Sequence, residues 1–135
     1  WDFYDFEHLG VYSVEPDAAW DADFNDLSQN FAKIDVRLNS KYTFSTSRSG
    51  NYVTLKSTVY RYSPSAGHHK AWKGATVRYY YRTSSSRPWT YLRKHTTNSD
   101  GKTSYKFKAS SKRYYQQRVA DTSTIWGSTS GSHRR

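Results

Sequence analysis

The chain has 135 residues, thirteen tyrosines, no cysteine, no methionine and a net charge of +10. This composition excludes a disulfide framework and thiol chemistry and argues against a zinc site; no run of about 20 apolar residues offers a membrane span. The charge is divided: residues 1–35 hold nine acids and one lysine, a net of −8, while residues 36–135 hold twenty bases and two acids, a net of +18.

Residues 1–31 read as an acidic, aromatic N-terminal arm. Its first segment, Trp1, Asp2, Phe3, Tyr4, Asp5, Phe6 and Glu7, alternates large apolar with acidic side chains, and Tyr12, Trp20, Phe24 and Phe31 continue the aromatic content. Aromatics of this size bring about 150–250 Å² each to an interface, and acids beside them suit a basic rim. Three fates stand open for the arm: insertion into a partner, packing on its own basic body, or disorder. A start at Trp1 without methionine reads as a processed mature chain or as one trimmed to its ordered part. The arm shows no strand register, and a short helical turn is expected over Asp17–Asp23 behind Pro16. Asp21, Asp23 and Asn25 have the opening spacing of a calcium loop. Asp26 stands where such a loop needs glycine, however, and Ala32 where it needs a bidentate glutamate, so no metal is expected.

Residues 32–127 read as a seven-stranded all-β sandwich, because short alternating runs recur between turn signals. Ile34, Val36 and Leu38 alternate with polar residues and form the first run. Ser47–Gly50 is a turn, after which Val53, Leu55, Ser57 and Val59 share one face. A long loop over Ser63–Lys70 follows. Residues 75–82 form the next strand, with Val77, Tyr79 and Tyr81 inward and Arg78, Tyr80 and Arg82 outward. Residues 89–94 form another, and Asn98–Gly101 is a hairpin signal. Tyr105 and Phe107 mark a fifth strand, and residues 114–119 and 122–126 supply the last two. Residues 128–135 have the composition of a basic, flexible tail.

Catalytic motifs are missing: there is no nucleophile elbow, no metalloprotease helix motif and no phosphate-cradling glycine loop, so no enzyme and no cofactor are expected. His68 and His69 lie in the long loop beside Lys70 and read as surface residues, since no third metal ligand can be named. Arg78, Arg82, Lys94, Lys106, Lys108, Lys112, Arg113 and Arg118 lie among tyrosines, a combination used for nucleic acids and acidic glycans. The same side chains also blunt sheet edges and keep a tyrosine-rich domain soluble. Tyr114 or Tyr115 is the candidate for a structural tyrosine corner.

The body resembles the immunoglobulin-like domains of secreted actinobacterial proteins. The resemblance rests on residues 72–82, from Trp72-Lys-Gly into Tyr79-Tyr-Tyr-Arg, on Pro88-Trp-Thr-Tyr-Leu92, on the Thr96–Lys102 turn and on residues 112–124, and covers roughly residues 31–130. It implies an immunoglobulin-like sandwich and, combined with the arm, resembles the small adaptor subunit of umbrella-type toxin particles. The expectation is therefore a secreted, extracellular, non-enzymatic adaptor within a hetero-oligomeric protein complex. Partner-binding residues are expected at Trp1, Asp2, Phe3, Tyr4, Asp5, Phe6, Glu7, Tyr12 and Trp20 in the arm, and at His68, His69 and Trp72 in the body. Nucleic acid is not an expected partner. The alternative is a cell-surface or polyanion-binding module that takes a cell-wall glycan or a nucleic acid through the basic, tyrosine-rich sandwich.

Overall fold

The computed structural model describes residues 8–15 and 17–135. Every strand pair in it is antiparallel. Ser40–Ser49 (β3) and Tyr52–Ser63 (β4) make the longest ladder, joined through Gly50, whose φ of +55° suits glycine. The other edge of β4 is shared: Lys102–Lys108 (β8) pairs with Tyr52–Thr58, and His68–Ala71 (β5) pairs with Tyr60–Ser63. A second sheet runs Ser128–Thr129 (β10), Tyr114–Val119 (β9), Thr76–Arg82 (β6), Thr90–Thr96 (β7), and His133–Arg134 (β11) also pairs with β9. This order, with β3–β4–β8 in one sheet and β7–β6–β9–β10 in the other, is that of an immunoglobulin-like sandwich.

The core lies between the two sheets. Val53, Leu55 and Val59 of β4 meet Val77 and Tyr79 of β6 and Tyr115 and Val119 of β9, all buried. Strict alternation places these residues inward, as the sequence implied for β4 and β6. Tyr79 carries a polar end into the core, and its hydroxyl bonds the Ser57 hydroxyl across the sheets at 2.9 Å. Phe44, Tyr105 and Phe107 stack along the same layer, with Tyr105 and Phe107 centroids 5.0 Å apart.

The structure corrects several expectations. The arm contains a strand: Gly10–Val14 (β1) pairs with Ala32–Val36 (β2) as a two-stranded ribbon, so the run at Ile34 joins the arm rather than opening the sandwich. The helical turn over Asp17–Asp23 is replaced by a small hairpin, because Trp20 bridges Asp26. Eleven strands are present among the described residues: two in the ribbon, β3–β9 in the sandwich and two short ones in the tail. The Ser63–Lys70 loop shrinks to a 3-10 turn at Pro64–Ala66, since His68–Ala71 finds a backbone partner in β4. Asn98–Gly101 does form a tight turn, with Asn98 Oδ1 accepting from the Asp100 and Lys102 amides. It is nevertheless not a hairpin, because β7 and β8 belong to different sheets. Residues 122–126 form a loop, held by the Thr122 hydroxyl and touching Leu38 through one bridge at Ile125. The tail, expected to be flexible, closes the edge of β9, and Arg135 donates to the Thr46 carbonyl. Tyr115 makes no tyrosine corner: its hydroxyl is buried without a hydrogen-bond partner.

Candidate protein-docking site

The described part of the arm is built around one carboxylate. Asp21 Oδ1 accepts from the amides of Asp23 and Asn25, both at 2.9 Å, and the Asn25 side chain donates to Oδ2 at 3.0 Å. Asp and Asn favour such local turns because their side chains reach backbone groups two to four residues away. The Asp21 amide donates to the Asn25 carbonyl and the Leu27 amide to the Ala19 carbonyl, which completes the hairpin stem. Hydrogen bonds from the Asn25 side chain and then its amide hold the Asp21 carboxyl below its ordinary range, despite slight opposing desolvation. The calcium-like spacing at Asp21, Asp23 and Asn25 is thus spent on turn geometry.

Phe24 sits at the tip of this hairpin. It is 87 % exposed and has a φ of +61°, the only positive φ outside glycine among the described residues. A bulky side chain in that region is uncommon and costs about 1 kcal/mol or more. Trp20 (57 % exposed), Leu27 (51 %) and Phe31 (74 %) project from the same segment. Glu15, Asp17, Asp23 and Asp26 are exposed in the same stretch of chain, and among the described residues no ion pair involves these acids. The segment therefore presents exposed apolar side chains interspersed with exposed carboxylates. Val11 and Ile34 add exposed apolar area on the β1–β2 ribbon.

The other expected site residues fall in different places. Trp1, Asp2, Phe3, Tyr4, Asp5, Phe6 and Glu7 lie outside the described residues. Tyr12 is half-buried on β1 opposite Ile34, and its hydroxyl donates to the His8 carbonyl. Trp20 is one of the exposed apolar residues of the arm. His68 and His69 are neighbours on β5 and therefore point to opposite faces. His68 is exposed, with Nδ1 at 2.7 Å from the Ala66 carbonyl, whereas His69 is half-buried with its ring edge on Tyr62. Burial first, then the Lys41 charge, lowers the His69 pKa. Trp72 is a core residue at 7 % exposure, and its carbonyl accepts from the Thr97 hydroxyl. These three do not form one surface with the arm's aromatics. Phe24, Leu27 and Phe31 are further exposed apolar residues of the arm. Their signal in the sequence was the presence of large apolar residues in a strongly acidic stretch.

The chain matches no family model, no curated protein and no solved structure.

Proposed function

We propose that this chain is a non-enzymatic adaptor that docks through its N-terminal arm into an apolar, basic-rimmed groove on a partner protein. Phe24 carries this reading: a turn held by Asp21 and Asn25 keeps a large aromatic in solvent, in a backbone region that glycine or asparagine would occupy at lower cost. Trp20, Phe24, Leu27 and Phe31 are each more than half exposed within twelve residues of chain, an apolar load that isolated monomers rarely leave uncovered. Packing of the arm on its own body would bury Trp20, Leu27 and Phe31, yet all three are exposed. Aromatic burial supplies affinity, and the bordering acids supply register and association rate. Given the resemblance of its body to secreted actinobacterial immunoglobulin-like domains, we read the partners as other secreted proteins, within an umbrella-type toxin particle.

A photo-crosslinking amino acid placed at position 24, with position 45 on the far sheet as control, tests the reading in medium of the native producer. Crosslinks from position 24 alone to a separate polypeptide are expected. Crosslinks from position 24 to this chain's own sandwich would sink the docking reading in favour of self-packing.

A further inference from the structure

The outer face of the β7–β6–β9 sheet carries an arrangement that the docking arm does not use. Lys94 on β7, Arg78 on β6 and Arg118 on β9 are direct Cα partners, so three cations stand in a row across three adjacent strands. Neighbouring strands lie about 4.8 Å apart, and like charges directly opposite one another destabilise a sheet. Among the described residues no acid is ion-paired with the row: the ion pairs there join Arg37 to Asp35 and Asp121. The other sheet sets Arg61 opposite Lys70, but that pair is not extended to a third cation because Arg61 faces Ser40 on its other side, and Lys56, Lys102 and Lys106 face Ser or Thr.

The arginines on this face are also held flat. Arg118 lies 4.3 Å over the Tyr80 ring and Arg82 lies 4.4 Å over Trp89. Arg82 and Arg134 both approach Tyr114, at 5.6 and 5.7 Å. Stacking of this kind orients a guanidinium and leaves its N–H edge for bidentate pairing with an oxyanion. It also covers the ring faces on which a nucleobase would stack. Arg82 Nε is buried without a partner, a second cost concentrated on the same face.

We propose that this face binds a linear anionic glycan, whose sulfate or phosphate groups pair first with the Lys94–Arg78–Arg118 row and then with Arg82 and Arg134. The row's repulsion is relieved when an oxyanion enters, so the feature that costs stability is the one that binds. This site is independent of the arm and of the partner it docks.

Titration of the full chain with heparin at several salt concentrations tests the site, with an oligonucleotide of matched charge as the nucleic-acid probe. Five cations predict a double-logarithmic salt slope of roughly −3 to −4, at about 0.7 per contact. Arg78→Thr is expected to weaken heparin binding at least tenfold without lowering the melting temperature, while Lys106→Thr, equal in charge change, shifts it less than twofold. Should Arg78→Thr lower the melting temperature, Arg118→Gln provides the same comparison. Equal losses in the sheet-face and Lys106 variants would reduce the effect to net charge and overturn the site. Oligonucleotide binding tenfold tighter than heparin would overturn the glycan assignment and make this a nucleic-acid surface.

Discussion

Phe24 holds a backbone conformation that its own side chain disfavours, which separates stability from docking at one residue. Phe24→Asn keeps the left-handed turn with a residue that tolerates it, so the melting temperature should hold or rise. Partner affinity should fall by about 1–2 kcal/mol, the cost of losing an aromatic anchor. Asp21 makes the turn depend on acidity. Its carboxyl has a folded pKa depressed below the ordinary 3.8, so its contribution is complete above that value and is lost as pH falls through the folded one. Protection factors at the Asp23 and Asn25 amides should therefore fall in acid, and Asp21→Asn should remove that dependence. His95 works in the opposite range. It packs between Tyr79 and Tyr105 at 5.8 and 5.0 Å, and burial, then the Arg93 charge, holds its pKa below 6.5. The unfolded chain then binds more protons just below pH 6.5, so stability is full above that pH and falls as acid is added. His69 acts in the same direction. Melting curves from pH 7.5 to 5 should show the decline, and His95→Phe should flatten it in part; an unchanged slope would remove His95 from the explanation.

Legibility of the elements depended on where polarity followed the pleat. In β4 and β6 the buried positions are apolar or aromatic and their neighbours polar, so both strands were readable from alternation. β3 was missed because its inward side includes Ser40, Thr46 and Arg48, which hides the period. β5, β10 and β11 are short and defined by backbone pairing with β4 and β9, a property that composition does not carry. β1 finds β2 some twenty residues away, and neither strand alone shows that register. In the candidate site, the arm's acidic and aromatic character was visible, whereas the exposure of Phe24 at a left-handed turn required the hairpin. Trp72 was misplaced because a lone tryptophan after a polar loop looks the same in sequence whether it faces a partner or the core. Two element-level outcomes follow. Gly101→Ala would set a Cβ 2.4 Å from the Val59 carbonyl at a φ of +71°, so a loss of at least ~2 kcal/mol in denaturant unfolding is expected. Removal of residues 128–135 should lower the melting temperature and promote association through the opened β9 edge; an unchanged transition would return the tail to a flexible end.

At the scale of the molecule, a basic sandwich carries an acidic arm in which Trp20, Phe24, Leu27 and Phe31 are exposed. The sandwich has its own core, and β1 pairs only with β2, so deletion of residues 1–15 should leave the main melting transition nearly unchanged. A two-stranded ribbon is marginal in water by itself, which suits a segment that completes its packing on a partner and bears an ordering cost when it binds. In the proposed reading the sandwich is the carrier and its arginine–tyrosine face a second contact, while the arm's exposed aromatics are the docking surface. The most direct measurement compares the full chain with a Trp20→Ser, Phe24→Ser, Phe31→Ser variant in quantitative pull-downs from medium of the native producer, after melting curves show both folded. The account predicts a discrete, stoichiometric protein partner retained by the wild-type chain and lost by the variant. Recovery of the same partner in the same amount by both chains would contradict it.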